Sequence, residues 1–268
     1  MTGAPEPVIQ VRGLRTKLGG KEIHKDLDLD VMRGEILGVV GGSGTGKSVL
    51  MRTILGLIRP RGGTIEVLGR RVDPHDAKGM RELERRWGVL FQDGALFSSL
   101  TVTENVQVPM KEHLDLPQRL ADELAALKIA LAGLKPGDGA KFPSELSGGM
   151  RKRAALARAL ALDPDIVFLD EPTAGLDPMG AAQFDLLLRD LSRNLGFTVF
   201  LITHDLDTLY AVTDRIAVLA EQRVLVAAPI AELERHEHPW IRAYFHGPRG
   251  RAAQASAIKA SAMMPGGD

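Results

Sequence analysis

Apolar and polar residues change period several times along the chain, and each change marks an element. Val8 to Leu14 reads as a first strand. Next, Leu27, Leu29 and Val31 alternate with Asp26, Asp28 and Asp30, which predicts a half-buried strand with one solvent face. Gly34-Glu35 turns the chain into Ile36-Leu37-Gly38-Val39-Val40, a continuous apolar run that predicts a buried strand. Val49 to Leu57 has helical periodicity, and Pro60 with Gly62-Gly63 breaks it. Thr64 to Leu68 alternates again and is closed by Gly69. The N-terminal part therefore reads as an antiparallel β layer leaning on an α/β core.

Trp87 to Phe91 is a further strand that ends at Gln92, with a loop from Asp93 to Leu100. Thr101 and Glu104 are spaced as a capping box and start a short helix. Pro117 opens another, with Leu116, Leu120, Leu124, Leu127 and Leu131 on one face and Gly133 closing it. Residues 95–160 are thus expected to form a helical subdomain inserted between two core strands. Asp163-Pro164 ends that insertion, and Ile166 to Leu169 is apolar throughout, as strands buried on both faces of a parallel sheet are. Asp177 is placed as an N-cap with Pro178 at N1, for a helix running to Leu195-Gly196. Thr198 to Thr203 is another buried strand, and Ile216 to Leu219 with Val224 to Val226 reads as a closing hairpin. The expected organisation is one α/β domain over 8–246. Its core spans 8–94 and 161–230, and a tail over 231–268 is helical from Pro229 and disordered from Gly247.

Composition narrows the partners. Lys+Arg and Asp+Glu balance at 34 each, which argues against nucleic acid as the main partner. There is no Cys, so neither disulfides nor thiolate metal sites arise. No apolar run is long enough to span a bilayer, and Met1 to Pro7 lacks the build of a signal peptide. The expected location is cytoplasmic, with membrane contact only through a partner.

Gly41-Gly42-Ser43-Gly44-Thr45-Gly46-Lys47-Ser48 fits G-x-x-x-x-G-K-[ST], the phosphate-binding P-loop, between a predicted strand and a predicted helix. Its glycines let backbone N–H groups turn inward, and the helix N-terminus adds about half a positive charge aimed the same way. Lys47 can reach the β- and γ-phosphates, and Ser48 can place a hydroxyl on Mg²⁺. Asp170 and Glu171 follow a buried strand, where ligands bind in open parallel sheets; the first suits Mg²⁺ and the second an attacking water. Leu146-Ser147-Gly148-Gly149-Met150 precedes a helix from Arg151 to Leu162, a second anion site of the same physical kind. The two sites lie on different parts of the chain. A head-to-tail dimer with C2 symmetry would sandwich each nucleotide between one copy's P-loop and the other's serine–glycine turn. Gln92 and His204 each end a core strand on the same edge.

The order P-loop, Gln92, LSGGM, IVFLD with Glu171, Gly175-Leu176-Asp177 and His204 resembles the ATP-binding cassette (ABC) ATPases over about residues 8 to 230. The resemblance implies a P-loop NTPase fold, with a RecA-like parallel sheet, an antiparallel β layer and a helical lobe, and it implies ATP and Mg²⁺ as cofactors. It implies an ATP site lined by Gly41, Gly42, Ser43, Gly44, Thr45, Gly46, Lys47, Ser48 and Val49. Ser48, Gln92 and Asp170 would surround Mg²⁺, Glu171 would be the catalytic carboxylate and His204 the switch histidine. Ser147, Gly148, Gly149 and Asp177 would serve the partner copy's ATP. Two positions depart from the family. Leu18 stands where an aromatic usually stacks on adenine, and Met150 replaces the commoner glutamine.

Phe91-Gln92-Asp93-Gly94-Ala95-Leu96-Phe97 and the run Ser144 to Ala159, through Arg151-Lys152-Arg153, resemble the MlaF-type ATPases of phospholipid transport. Those work with an integral-membrane permease and an MCE-domain lipid-binding protein. The implied role is an ATP-driven homodimer on the cytoplasmic face of the inner membrane, maintaining outer-membrane lipid asymmetry. Two alternatives stand beside it: a transporter for another cargo (amino acid, metal or lipoprotein), and a soluble cassette protein acting on nucleic acid or ribosomes. The loop Gly94 to Leu100 is placed to transmit change to a permease. The aromatic tail, with Trp240, Tyr244 and Phe245, either caps the core edge or reaches across to the second copy. His236, His238 and His246 read as solvated tail residues.

Overall fold

A computed structural model of the chain describes residues 6–248 and 250–254. Strands β1 (Pro7–Leu18) and β2 (Lys21–Met32) pair antiparallel. Strand β3 (Ile36–Val40) runs into the P-loop and helix α1 (Lys47–Ile54). Strands β4 (Gly62–Val67) and β5 (Arg70–Arg71) return to the first sheet, giving the order β2-β1-β4-β5. Helix α2 (Ala77–Glu84) leads to β6 (Trp87–Leu90). Helices α3 (Val102–His113), α4 (Gln118–Leu131) and α5 (Gly148–Ala159) follow. Then come β7 (Ile166–Asp170), α6 (Pro178–Leu195), β8 (Thr198–Ile202), α7 (Leu206–Val212), β9 (Arg215–Ala220) and β10 (Arg223–Ala228). Helices α8 (Ile230–Leu233) and α9 (Pro239–His246) close the order. The second sheet has the order β10-β9-β3-β8-β7-β6, parallel except for β10.

Strands β3, β7 and β8 are buried at every residue, which is why their sequences are apolar without alternation. One face of the parallel sheet, with Leu37, Phe168 and Phe200, packs on α1 and on Leu27, Leu29 and Val31 of the antiparallel layer. The other face, with Val167, Leu169 and Leu201, packs on Leu156 of α5 and Phe184 and Leu188 of α6. A third cluster, Val102, Val106, Ile129, Ala154 and Ala157, joins α3, α4 and α5. The capping box forms: the Glu104 N–H donates to Thr101 Oγ1 (3.2 Å) and the Thr101 N–H to Glu104 Oε2 (2.7 Å). Asp177 caps α6, Pro178 is its first residue, and Gly196 closes it in the left-handed conformation.

Several local expectations change. The buried stripe of α4 is Ala121, Ala125, Lys128 and Ile129, while Leu120 and Leu127 are exposed. Leu116, Leu124 and Leu131 are half-buried and pack on the core clusters as expected, while small alanines form the fully buried contact. Helix α5 starts at Gly148, three residues before the expected Arg151, because Ser147 is its cap. Helix α1 stops at Ile54, short of Leu57. Strand β5 and helix α2 were not expected from the pattern. The tail is helical at 250–254, where Ala253 is buried and Gln254 Nε2 donates to Glu234 Oε1 (3.0 Å), so the expected disorder does not begin at Gly247. The part of that expectation on 255–268 lies outside the described residues. Among the described residues no helix is long and apolar enough to cross a membrane.

Candidate active site

The P-loop leaves β3 at the C-terminal edge of the parallel sheet, where ligands bind in such folds. Lys47 Nζ arches back to donate to the carbonyls of Gly41 (2.8 Å) and Gly42 (3.1 Å). Burial lowers the Lys47 pKa, and the charges of Glu171 and Asp170 push it back up. Gly46, at φ 99°, is the N-cap of α1, and a Cβ there would lie 2.5 Å from His24 Nε2 and from Ile23. A Cβ on Gly41 would meet the Leu219 carbonyl at 2.3 Å. The cradle is thus shaped for bare backbone, with N–H donors and an ammonium as its chemistry, which fits a polyphosphate.

Asp170 ends β7 in a buried position and accepts a hydrogen bond from Ser48 Oγ (3.3 Å). Burial raises its pKa, the Ser48 bond lowers it, and neighbouring Glu171 raises it further. A hydroxyl and a buried carboxylate at one point are hard oxygen donors, a set that fits Mg²⁺. Glu171 takes a left-handed backbone, φ 50°, and its N–H donates to the Ile202 carbonyl on β8 (2.8 Å). Its Oε1 lies 2.8 Å from Nδ1 of His204, two residues past β8. Because β7 and β8 are parallel neighbours, the fold itself brings these two side chains together. Gln92, exposed two residues beyond β6, lies on the same edge.

The second set stands apart. Ser147 caps α5 and its Oγ accepts from the Met150 N–H (3.3 Å); Ser147 and Gly148 are exposed. Asp177 is exposed as well, accepting from the Gly180 N–H (3.0 Å). Among the described residues no hydrogen bond or ion pair joins Ser147, Gly148, Gly149 or Asp177 to residues 41–48. Val49 sits half-buried in the first turn of α1, and Leu18 is 53% exposed at the end of β1.

Two contacts escaped the sequence reading, and a third, the tail capping the core edge, is one of the two alternatives it gave. Lys152 of α5 is buried and donates to the backbone oxygens of Gln92 and Glu171. Arg158 of the same helix donates to the carbonyls of Ala95 (2.6 Å) and Gly94 (2.9 Å). The tail packs on its own chain: Ile241 and Phe245 join Leu209 and Val218, Trp240 stacks on Tyr244, and Tyr244 donates its hydroxyl to the His204 carbonyl (3.3 Å). The tail histidines are not simply solvated: His236 and His238 are half-buried and accept from backbone N–H groups, His238 Nε2 lies 3.5 Å from Glu221 Oε1 in the β9–β10 turn, and His246 bonds the Glu234 carbonyl. The only available signal was composition: basic residues set into an alanine-rich helix, and aromatics gathered in a chain that has few.

The sequence model of the ABC transporter family matches residues 24–174, more than half of the chain. The chain belongs to the ABC transporter ATPases. This ABC ATPase is 39% identical over 241 residues to a probable ribonucleotide transport ATP-binding protein, mkl, of Mycobacterium leprae, covering 90% of this chain and 69% of that one. It is 37% identical over 226 residues to the intermembrane phospholipid transport ATP-binding protein MlaF of Haemophilus influenzae (84% and 85% covered). It is 34% identical over 240 residues to MlaF of Escherichia coli K12 (90% and 89%). Among solved structures it resembles the dimeric cassette MJ0796 in a post-hydrolysis state bound to ADP and Pi, with TM-score 0.75 and 27% identity, over 83% of this chain and 98% of that one. The ABC ATPase is therefore the ATP-binding, ATP-hydrolysing subunit of a transporter, with the cassette fold that the motif order implied.

Proposed function

We propose that this ABC ATPase drives phospholipid transport between membranes, in an Mla-like system. The observation that carries the reading is its likeness to two MlaF proteins along nearly their whole length. The reading includes a permease, an MCE-domain lipid-binding protein, and a position on the cytoplasmic face of the inner membrane. A second reading, a ribonucleotide as cargo, is favoured by the likeness to the mycobacterial protein.

Within this reading two copies close on two ATP molecules. Each copy contributes Gly41 to Val49 to one nucleotide and Ser147, Gly148, Gly149 and Asp177 to the other, and residues 95–160 act as the helical lobe. Ser48, Asp170 and Gln92 would hold Mg²⁺, which would supply positive charge to offset that of the phosphates. Lys47 exchanges its bonds to the P-loop carbonyls for phosphate oxygens. Glu171 orients the attacking water by accepting its hydrogen bond. His204, anchored through Nδ1 to Glu171, keeps Nε2 for the γ-phosphate.

The test is a pull-down of the tagged full-length chain from detergent-solubilised native membranes, with mass spectrometry of bound proteins and lipids. A permease, an MCE-domain protein and enriched phospholipid support the reading. A different permease with nucleotide cargo favours the second reading, and recovery only with soluble ribosomes or nucleic acid overturns both.

A further inference from the structure

We propose that Lys152 is a positioning residue that ties the signature helix to the catalytic carboxylate. The proposal rests on the reading of Glu171 as that carboxylate. Lys152 lies in α5, five residues after Ser147, and is 7% exposed. Its ammonium donates to two backbone oxygens from different strand ends. One is the carbonyl of Gln92, past β6, and the other that of Glu171, past β7, at 3.1 Å. Burial alone drives the Lys152 pKa down, and Asp93, Glu171 and Asp170 supply the negative charge that opposes this.

The Glu171 peptide needs such a clamp. A left-handed backbone is sparsely populated by any residue with a Cβ and persists only where its surroundings hold it. On one side the Glu171 N–H is held by Ile202. On the other, its carbonyl accepts from the Ala174 N–H (3.2 Å) and from Lys152, the one of the two donors that belongs to the signature helix. With the peptide held at both ends, the carboxylate is aimed at His204. Lys152 bonds peptide oxygens, so it acts through Glu171 and Gln92.

The helix that carries Lys152 also carries the Ser147 turn at its N-cap, and Arg158 on the carbonyls of Gly94 and Ala95. One rigid rod therefore connects the turn that meets the partner's nucleotide, the carboxylate of its own site, and the loop after Gln92. A shift of the turn when two copies close is felt at Glu171 through Lys152.

The experiment is steady-state ATP hydrolysis by the full-length chain, comparing wild type with Lys152→Met, Lys152→Gln, Lys152→Arg and Glu171→Gln. Losing the charged donor that links the Gln92 and Glu171 carbonyls is expected to lower kcat about tenfold or more in Lys152→Met. The KM for ATP should stay within about threefold, since uniform ATP binding is untouched. Lys152→Arg, which keeps charge and donors, should recover most of the rate, and Lys152→Gln, with one short donor group, should fall between. If Lys152→Met does not fold, the glutamine and arginine variants carry the same comparison. A wild-type kcat in Lys152→Met or Lys152→Gln overturns the proposal. So does a raised KM with unchanged kcat, or a loss that arginine does not recover. Glu171→Gln separates the two readings. If it hydrolyses ATP at the normal rate, the carboxylate assignment fails; if it is inactive while the Lys152 variants are normal, only the present proposal fails.

Discussion

Gly46 has two constraints on one atom. Its φ of 99° lies where side chains are strained, and the space a Cβ needs is held by His24 and Ile23 of β2. Gly44 has the first constraint alone: φ is 75°, and nothing lies within 4 Å of an added Cβ. The two therefore separate backbone strain from steric contact. Gly44→Ala should cost about 1–2 kcal/mol of stability through the backbone. Gly46→Ala should cost clearly more and also weaken ATP binding, because β2 and the P-loop must move apart to admit the methyl group. Urea unfolding and equilibrium titration with a fluorescent ATP analogue check this. Equal losses in the two variants would mean that the contact with His24 does not constrain the loop.

At the scale of elements, the loop 94–100 is anchored from both sides. Arg158 holds its start. The wholly buried Asn105 accepts from the Phe97 N–H (2.8 Å) and donates to the carbonyls of Phe97 (3.1 Å) and Leu100 (3.0 Å). A loop pinned this way nevertheless leaves the Phe97 side chain 52% exposed. An apolar ring on a rigid support beside Gln92 suits a permease contact. Phe97→Asp should unfold at the wild-type temperature yet recover much less permease in the pull-down; equal recovery would place the contact elsewhere. That loop, the buried strands and the helix caps were legible because each depends on neighbouring residues: continuous apolar runs for β3 and β7, and Thr101 with Glu104 for α3. The meeting of Glu171 with His204 was legible for a related reason, since these residues follow adjacent parallel strands. The buried face of α4 was only partly legible: Leu116, Leu124 and Leu131 pack inward, but the fully buried positions are Ala121, Ala125, Lys128 and Ile129. Lys152 was not legible either. A lysine in a helix reads as solvated until the fold brings the carbonyls of Gln92 and Glu171 to it.

Across the whole molecule, two buried groups set opposing pH dependences. His24, bonded through Nδ1 to Thr16 Oγ1 beneath the P-loop, has its pKa lowered by burial from 6.5 to about 4. As pH falls through that window the unfolded chain takes up a proton that the folded chain does not, so stability falls with falling pH. Asp185 of α6, which accepts a hydrogen bond from Thr208 of α7 (2.9 Å), has its pKa raised by burial from 3.8 to about 7. As pH rises through that window the unfolded chain loses a proton that the folded chain keeps, so stability falls with rising pH and levels off above it. Where the windows overlap, the two slopes are opposite and each is at most about 1.4 kcal/mol per pH unit, so they largely cancel. Asp185→Asn removes one slope: the amide can still accept from Thr208, and it does not ionise. The variant should be more stable than wild type by a few kcal/mol at about pH 8, with the gain shrinking to nearly nothing at about pH 4. Its own stability should fall between those limits as His24 becomes the uncompensated group. Urea unfolding across that range decides the matter. A gain independent of pH would mean that Asp185 is already ionised in the folded chain, and that the α6–α7 contact holds a carboxylate and not the neutral acid.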